Sequence, residues 1–188
     1  MPNFDQVTIS TQRLLLRPLR TTDAQTLFDI HSKEEVMRYW TSVPWASIDI
    51  AHERIARDLK NMPAGEFLNL GIVRIEDEAL LGTCCLFHFD EQCRRAEIGY
   101  VLHLDAWGNG YMQEALAALI DYGFTTLNLN RIEADIDPLN TASAQTLLRQ
   151  GFVKEGFLRE RWIVNGVKSD TEIFGLLASE WQARNQIR

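Results

Sequence analysis

The residues most suggestive of chemistry are residues 107–112, Trp-Gly-Asn-Gly-Tyr-Met, where two glycines come just before a helical pattern. Residues 96–102 have the composition of a strand, and apolar residues recur at helical spacing from Leu116 to Phe124. Glycines let a backbone approach an anion closely, and the first N–H groups of a helix have no partner within that helix. Those N–H groups and the helix dipole favour a phosphate or pyrophosphate. The sequence therefore predicts an anion-binding loop between a strand and a helix.

A simpler interpretation of this loop stays open, in which Gly108 and Gly110 only bend and cap the chain. The loop is not a P-loop, because no Gly-Lys-Ser/Thr follows it. It is not a dinucleotide-binding fingerprint either, because the glycine spacing differs and a run of strands precedes it. The glycines alone therefore predict an anion site without naming the anion.

Neither the histidines nor the cysteines predict a metal site or a cysteine nucleophile. The four histidines are scattered without metal-ligand spacing and are interpreted as solvated or core residues: His31, His52, His88 and His103. The three cysteines form no Cys-x-x-Cys pair and are odd in number, which favours reduced thiols: Cys84, Cys85 and Cys93. We therefore expect no metal and no disulfide framework.

Composition and charge narrow the function class. The chain has 188 residues, 46% hydrophobic and 24% charged, ordinary values for one globular domain, taken here as residues 1–188. A formal net charge of −7 argues against general electrostatic binding of nucleic acid. The sequence starts without a signal-peptide pattern, and its apolar runs are far shorter than a membrane span. We expect a cytoplasmic protein with neither nucleic acid nor a membrane as partner.

The elements that position the loop follow from periodicity and turn residues. Residues 13–16 read as a short strand, and Thr22 or Asp23 can cap a first helix. Ser47 opens a second helix, which Pro63 closes. Three strand patterns separated by short turns then form an antiparallel meander: residues 67–75, 79–89 and 94–104. The first half of the chain is thus predicted as a strand, two helices and a meander.

The second half of the chain alternates helices with strands. After the helix that follows the loop come a strand and another helix: residues 131–137 and 140–149. Two final strands, residues 152–164 and 168–177, flank Asn165-Gly166, which is a strong hairpin signal. A helix between strands after a meander implies a mixed sheet with helices on its faces. The predicted fold class is α/β (α+β mixed), with a mostly antiparallel sheet of about seven strands.

The glycine loop resembles motif A of the GNAT superfamily of N-acetyltransferases, Arg/Gln-x-x-Gly-x-Gly/Ala, when aligned on Trp107, Gly110 and Met112. It departs from the motif where Trp107 replaces Arg or Gln and where Met112 replaces a small residue. Residues 11–18, Thr-Gln-Arg-Leu-Leu-Leu-Arg-Pro, followed by Asp23, resemble the opening of the branch that acetylates the N-termini of ribosomal proteins. Further matches extend the resemblance over nearly the whole chain: Arg131-Ile132, Asn140, Ser143, Gly151-Phe152, Glu155-Gly156, Gly166 and Asp170.

The resemblance implies a GNAT-like fold, splayed in the middle of the sheet, with acetyl-CoA as co-substrate. The main chain of the strand before the loop would pair with the pantetheine arm: Tyr100, Val101 and Leu102. The loop and the first helical turn would hold the pyrophosphate: Trp107, Gly108, Asn109, Gly110, Tyr111, Met112 and Gln113. Asn140 would reach the pantetheine and Ser143 the sulfur, although either residue could instead serve only to cap its helix.

Acyl transfer to an amine needs a base for the ammonium, an N–H donor for the oxyanion and a proton donor for the thiolate. Glu97 is the candidate base, because the resemblance places its strand along the cleft; the alternative is a solvated strand carboxylate. Ser143 is the candidate acid, since the tyrosine that many GNAT enzymes carry four residues later is Leu147 here. Trp40 and Trp45, with Glu97, are candidates for acceptor binding, although aromatic residues packed on a surface loop would look the same.

The resemblance predicts an acetyl-CoA-dependent N-acetyltransferase that works by direct attack in a ternary complex. The expected acceptor is the N-terminal α-amine of a protein such as a ribosomal protein. Two alternatives stay open: a small-molecule amine such as a polyamine or an antibiotic, or a non-catalytic module that binds acyl-CoA. The expected partners are acetyl-CoA and the amine acceptor, and a homodimer is compatible with the sequence.

Overall fold

Eight strands form one sheet in the computed structural model, which describes residues 2–185. The strands are β1 (Ile9–Ser10), β2 (Leu14–Arg17), β3 (Leu68–Arg74), β4 (Leu80–Asp90), β5 (Arg95–Leu102), β6 (Arg131–Ile136), β7 (Val153–Val164) and β8 (Val167–Leu177). The helices are α1 (Ala24–His31), α2 (Glu34–Met37), α3 (Ile48–Asn61), α4 (Tyr111–Thr125), α5 (Thr141–Gln150) and α6 (Ala178–Asn185). Short 3₁₀ turns cover Thr21–Asp23, Met62–Ala64 and Leu104–Ala106.

The strand order is β1-β2-β3-β4-β5-β6-β8-β7, and every neighbouring pair is antiparallel except β5 and β6. The predicted mixed, mostly antiparallel sheet is therefore confirmed. The sheet has one strand more than the seven predicted, because the two residues of β1 pair with β2, with Ile9 opposite Leu16. Two residues are too few to show an alternating pattern in the sequence.

The sheet opens between its two parallel strands. The pairing of β5 with β6 runs from Arg95 opposite Arg131 to Glu97 opposite Glu133. Beyond this point β5 continues to Leu102 and β6 to Ile136, each held by its other neighbour. The expected splay thus lies beside the second half of β5, directly before the glycine loop.

Helices cover both faces of the sheet, as predicted. On one face α4 buries residues such as Leu116 and Leu119 against Leu70, Leu86 and Ile132. On the other face α1 and α3 pack as a smaller layer, in which Leu27 and Ile55 join Val73 in a second core cluster. Within residues 2–185, no helix is both long and apolar enough to cross a membrane.

Local signals explain where most elements end. The amide oxygen of Asn140 accepts a hydrogen bond from Ser143 N at 3.1 Å and so caps α5, which ends at Gly151 with a φ of 100°. The hairpin residues Asn165 and Gly166 have φ values of 48° and 78°, as a two-residue turn of the expected type requires.

Asp23, one of the two residues predicted to cap the first helix, occupies the N-cap position of α1, but its side chain makes no capping hydrogen bond to that helix. Its carboxylate instead receives two hydrogen bonds from the guanidinium of Arg17, at 2.7 and 3.0 Å, and one from Arg20 N at 2.7 Å. Arg17 and Asp23 are both buried, so the carboxylate is committed to the bidentate ion pair. This pair fixes the chain between β2 and α1.

Candidate active site

The glycine loop forms an open backbone cradle at the start of α4. Gly108 and Gly110 both have a φ of 76°, and a Cβ atom placed on Gly108 would meet nothing within 4 Å. The first hydrogen bond of the helical ladder runs from Glu114 N to the carbonyl of Gly110 at 3.1 Å. The N–H groups of the preceding helical turn therefore have no carbonyl to bind inside α4. This geometry fits a pyrophosphate, which needs several N–H donors and no side chain in the way.

The side chains of this loop lie away from the cradle or brace it. The indole Nε1 of Trp107 donates to the carbonyl of Leu102 at 3.0 Å, which ties the loop to the end of β5. Tyr111 and Met112 pack against the core, and the carbonyl of Gln113 accepts a hydrogen bond from Gln150 at 2.6 Å. The two departures from the family motif, Trp107 and Met112, therefore leave the backbone of the cradle free. The Leu102 carbonyl, expected to pair with the cofactor, is already occupied by Trp107.

A cation that sequence reasoning missed stands beside the cradle. The guanidinium of Arg13 donates to Asn109 O at 3.1 Å and to the carboxylate of Glu114 at 2.7 Å, and it lies 4.7 Å above the ring of Tyr111. Arg13, just before β2, thus offsets the charge of Glu114 in the first turn of α4. The spacing within one motif cannot reveal this contact, because 96 residues separate Arg13 from Asn109.

The gap between β5 and β6 opens into a cavity of about 340 Å³ that brings the two candidate catalytic residues together. Glu97 lines it from the end of the paired part of β5, and Asn140 and Ser143 line it from the start of α5. Side chains alternate between the two faces along a strand, so Glu97 lies on the face opposite that of Ile98 and Tyr100. Glu133, the register partner of Glu97 on β6, lies on the same face as Glu97. A molecule in the gap can therefore meet Ser143 from one face and Glu97 from the other.

Ser143 is hydrogen-bonded to a tyrosine from the strand beside it. Its Oγ lies 2.7 Å from the hydroxyl of Tyr100, while its main-chain N–H is held by Asn140. Burial raises the pKa of Tyr100 to about 12, against the opposing effect of the Ser143 hydrogen bond, so the phenol stays protonated at neutral pH. The site thus contains a tyrosine hydroxyl even though residue 147 is leucine. Only the main chain of Tyr100 was predicted to take part.

Glu97 is surrounded by other titratable groups. Its Oε1 lies 3.1 Å from Nδ1 of His88 on β4. Asp135 on β6 lines the same cavity, and burial together with the charge of Glu97 raises the pKa of Asp135, against the opposing effects of Arg161 and His88. Neither His88 nor Asp135 was predicted as a site residue. The side chain of Glu97 is 28% exposed and is therefore neither fully solvated nor buried.

The structure separates the two tryptophans predicted for acceptor binding. Trp40 lines the cavity that contains Glu97. Trp45 is absent from the described lining of that cavity and instead stacks on His31, with ring centroids 4.3 Å apart. The rings of Trp40 and His31 meet edge to face, with their centroids 5.7 Å apart. Trp45 therefore supports the wall from behind and Trp40 forms its surface.

A groove of about 600 Å³ continues from this cavity along the surface. Trp40 and Trp162 line both spaces, so the groove and the cavity are continuous between the segment after α2 and the β7–β8 hairpin. Five carboxylates line the described part of the groove: Glu34, Glu35, Asp135, Asp137 and Asp170. Among the described residues that line the groove, Arg38 is the one cationic side chain. The groove is therefore strongly negative and suits a cationic ligand.

Comparison with known proteins identifies the family. The family model described as an acetyltransferase (GNAT) domain matches residues 13–153. An uncharacterized N-acetyltransferase of Bacillus licheniformis, p20, is 38% identical over 174 residues, which are 93% of this chain and 98% of that protein. A spermidine N(1)-acetyltransferase of Vibrio cholerae is 25% identical over 174 residues, with 93% and 98% covered. A solved structure of a candidate ribosomal-protein-serine acetyltransferase from Vibrio cholerae superposes with a TM-score of 0.81 at 28% identity, covering 92% of this chain and 98% of that one.

The matched region contains the glycine cradle, both parallel strands and the helix that carries Ser143. The solved structure shares the fold over nearly the full length of both chains. The chain therefore belongs to the GNAT family and is an acetyl-CoA-dependent N-acetyltransferase.

Proposed function

We propose that the enzyme acetylates the N-terminal α-amine of a protein, such as a ribosomal protein, by direct attack on acetyl-CoA in a ternary complex. The observation that carries this proposal is the groove of about 600 Å³ that leads from the Glu97 cavity to the surface. Its walls combine carboxylates with hydroxyl and apolar side chains, for example Ser169, Val164 and Pro44. Such a mixed lining suits a peptide segment, whose ammonium end would lie near Glu97 and whose next residues would follow the groove.

In the proposed reaction the cradle at the start of α4 holds the pyrophosphate, and the free edge of β5 at Tyr100 and Val101 faces the pantetheine. Asn140 lies beside the pantetheine at the start of α5. These placements rest on the open backbone at Gly108 and on the end of β5–β6 pairing at Glu97. They account for the binding of the co-substrate by main-chain groups.

Proton transfer is assigned to the two faces of the cavity. Glu97 accepts a proton from the acceptor ammonium, directly or through one water, and the freed amine attacks the thioester carbonyl. An N–H of the open strand stabilises the oxyanion. When the carbon–sulfur bond breaks, Ser143 gives its hydroxyl proton to the thiolate, and Tyr100 hydrogen-bonds the serine oxygen. As the intermediate collapses, the nitrogen loses its second proton, which restores the Ser143 oxygen to a hydroxyl. Of the two protons lost by nitrogen, one therefore leaves the site from Glu97 and one ends, by way of Ser143, on the thiol of CoA.

A polyamine is the second candidate acceptor, and the excess of carboxylates over cations along the groove favours it. A polyamine places positive charges along its length, which Asp135, Asp137 and Asp170 could meet one after another. The related spermidine N(1)-acetyltransferase of Vibrio cholerae supports the same candidate, and the ribosomal-protein-serine structure supports the first.

We also propose residues 1–188 as one acetyltransferase domain, because a single sheet joins β1 to β8.

Initial rates of thiol release decide between these acceptors. Saturating acetyl-CoA is offered with unblocked N-terminal peptides, spermidine or an aminoglycoside, and N-formylated peptides serve as the matched control. An α-amine has a pKa of about 7.7–8.0 and an alkyl amine about 10.4. For peptides, kcat/KM should therefore level off above about pH 8, whereas for spermidine it should still rise. If the peptides are not acetylated and spermidine is turned over efficiently, the acceptor is a polyamine and not a protein N-terminus.

A further inference from the structure

The contact between His88 and Glu97 depends on an irregularity in the sheet. Register pairs join Phe87 to Glu97 and Asp90 to Arg95, so two residues of β4 stand opposite one residue of β5. This is a β-bulge, and His88 within it has a φ of 50°. Left-handed backbone is uncommon for residues other than glycine, although histidine and asparagine adopt it more readily than most. Bulges beside active sites commonly redirect a side chain.

The redirected imidazole joins Glu97 to the solvent. Nδ1 of His88 lies 3.1 Å from Oε1 of Glu97, and the histidine side chain is 70% exposed whereas the glutamate is 28% exposed. The ring also contacts Phe87 edge-on, with centroids 4.7 Å apart, which holds it against the sheet. His88 lines both the Glu97 cavity and a neighbouring cavity of about 520 Å³ on the α1–α3 face. A proton on Glu97 therefore has a direct path outward through this ring.

The charged groups facing this pair come from every element packed around it. They are Glu97 and Arg95 on β5, Asp135 on β6, Arg161 on β7, Arg54 and Arg57 on α3, and Glu66 before β3. Glu97 is in direct contact with the imidazole, and Asp135 lines the same cavity.

Every turnover must return Glu97 to its carboxylate form. An acceptor that fills the cavity covers the inner side of Glu97, so the proton needs another exit. Among side chains, an imidazole is best suited to accept and release protons near neutral pH. We propose that His88 is the proton outlet of the reaction, a residue that acts through Glu97 rather than on the substrate. This inference rests on the proposed role of Glu97 as the base.

The step is balanced for one proton. An N–H bond of the ammonium breaks, its electron pair stays on nitrogen, and the proton joins Glu97. The O–H bond of the carboxylic acid then breaks as Nδ1 of His88 takes the proton, and the imidazolium releases a proton to water. The net release of one proton per turnover equals the proton that the ammonium brought.

The test compares His88→Asn and His88→Gly, since both replacements tolerate the left-handed backbone. For each we measure kcat from pH 6 to 9 with saturating acetyl-CoA and the acceptor that wild type turns over best. At pH 7 we expect kcat to fall about tenfold in both variants, less than the roughly 10²–10⁴-fold typical of a group that acts on the substrate, because Glu97 still takes the first proton. Free imidazole should restore much of the loss in His88→Gly, increasingly as its neutral form grows with pH. His52→Asn, an exposed histidine on α3, is the matched control and should be unchanged.

Glu97→Gln separates the outcomes. If the two residues act in series, Glu97→Gln should lose activity that imidazole does not restore, and adding His88→Asn should cost little more. If both His88 variants keep kcat within twofold of wild type while Glu97→Gln is impaired, the proposed role of His88 is wrong and the proposed role of Glu97 as the base stands. Equal activity of Glu97→Gln and wild type would instead reject the proposed base. The third outcome is a loss of kcat in His88→Gly that imidazole does not restore, combined with a full further loss when His88→Asn is added to Glu97→Gln. That outcome would show that His88 is a structural residue and not a proton outlet.

Discussion

Ser143 has two hydrogen-bonding groups with different partners. Its N–H is held by the Asn140 side chain at 3.1 Å, and its hydroxyl faces the Tyr100 hydroxyl at 2.7 Å. The first contact stabilises α5 and the second is independent of the helix. A change that removes only the hydroxyl therefore tests the chemistry with little effect on the cap.

Ser143→Ala should lower kcat about 10²-fold, within the range for general acid catalysis, with acetyl-CoA affinity largely kept. Tyr100→Phe should cost less, because the serine proton donor remains. The measurement is kcat by thiol release and Kd for CoA by calorimetry. The control is Thr146→Ala on the same helix, whose hydroxyl donates only to Ala142 O. A fall in kcat of less than threefold, with chemistry shown to limit the rate, would make the Ser143 hydroxyl a structural group.

The sequence could suggest Ser143 because it belongs to a matched motif, and Glu97 because its strand leads into the glycine loop. It could not suggest the contacts that bring other residues to them. Tyr100 and Ser143 are 43 residues apart, and Arg13 and Glu114 are 101 apart. His88 depends on a bulge that a strand pattern does not reveal. Such contacts arise from the pairing of distant elements, on which local spacing carries no information.

At the scale of elements, the start of α4 is the most demanding geometry in the site. Gly110 has a φ of 76°, and a Cβ there would lie 3.6 Å from Nη2 of Arg13. Gly110→Val should therefore strain the backbone and move a branched side chain toward the cradle. We expect the affinity for acetyl-CoA to fall more than tenfold, equal to at least about 1.4 kcal/mol. Calorimetric titration of the folded variant provides the measurement.

Gly166→Val is the matched control for this change. Gly166 has a φ of 78° with nothing near its Cβ position, so the backbone strain is similar but the cradle is untouched. A second comparison uses acetyl-pantetheine, which lacks the pyrophosphate and should bind Gly110→Val and wild type alike. Unchanged binding of acetyl-CoA to Gly110→Val would contradict the proposal that this loop binds the pyrophosphate.

The elements with strong local signals were the ones that the sequence predicted. The helix α4 has a regular apolar stripe, and α5 has Asn140 before it and Gly151 after it. The two-residue β1 and the four-residue α2 are too short for a periodic pattern. The helix α6 was missed because its place depends on packing, with Trp181 buried against the core beside Phe124.

At the scale of the whole molecule, one buried histidine links stability to pH. His31 is buried beside Trp40 and Trp45, and burial, with a contribution from Arg54, lowers its pKa from 6.5 to about 4. Between these two values the unfolded chain binds a proton that the folded chain does not. His31 therefore contributes stability that is full above about pH 6.5 and is lost as the pH falls to about 4. The loss amounts to about 3 kcal/mol.

Urea denaturation from pH 4 to 7 measures this dependence. His31→Phe keeps an aromatic ring beside Trp45 and cannot take up a proton, so the slope of unfolding free energy against pH should become flatter. The corresponding change at an exposed histidine, His52→Phe, should leave the slope as in wild type. Equal slopes for His31→Phe and wild type would contradict the assigned cause.

The gap in the sheet has a consequence for how the two halves of the sheet are connected. β5 and β6 share three register pairs, from Arg95–Arg131 to Glu97–Glu133, and the ion pair between Arg95 and Glu133 reinforces this short seam. On one side of this seam stand β1 to β5 and on the other β6 to β8, and α4 packs against strands of both sides. A co-substrate lying in the gap would act as a temporary ninth strand that joins the two halves. The two halves would then gain this connection with each acetyl-CoA that binds and lose it with each CoA that leaves.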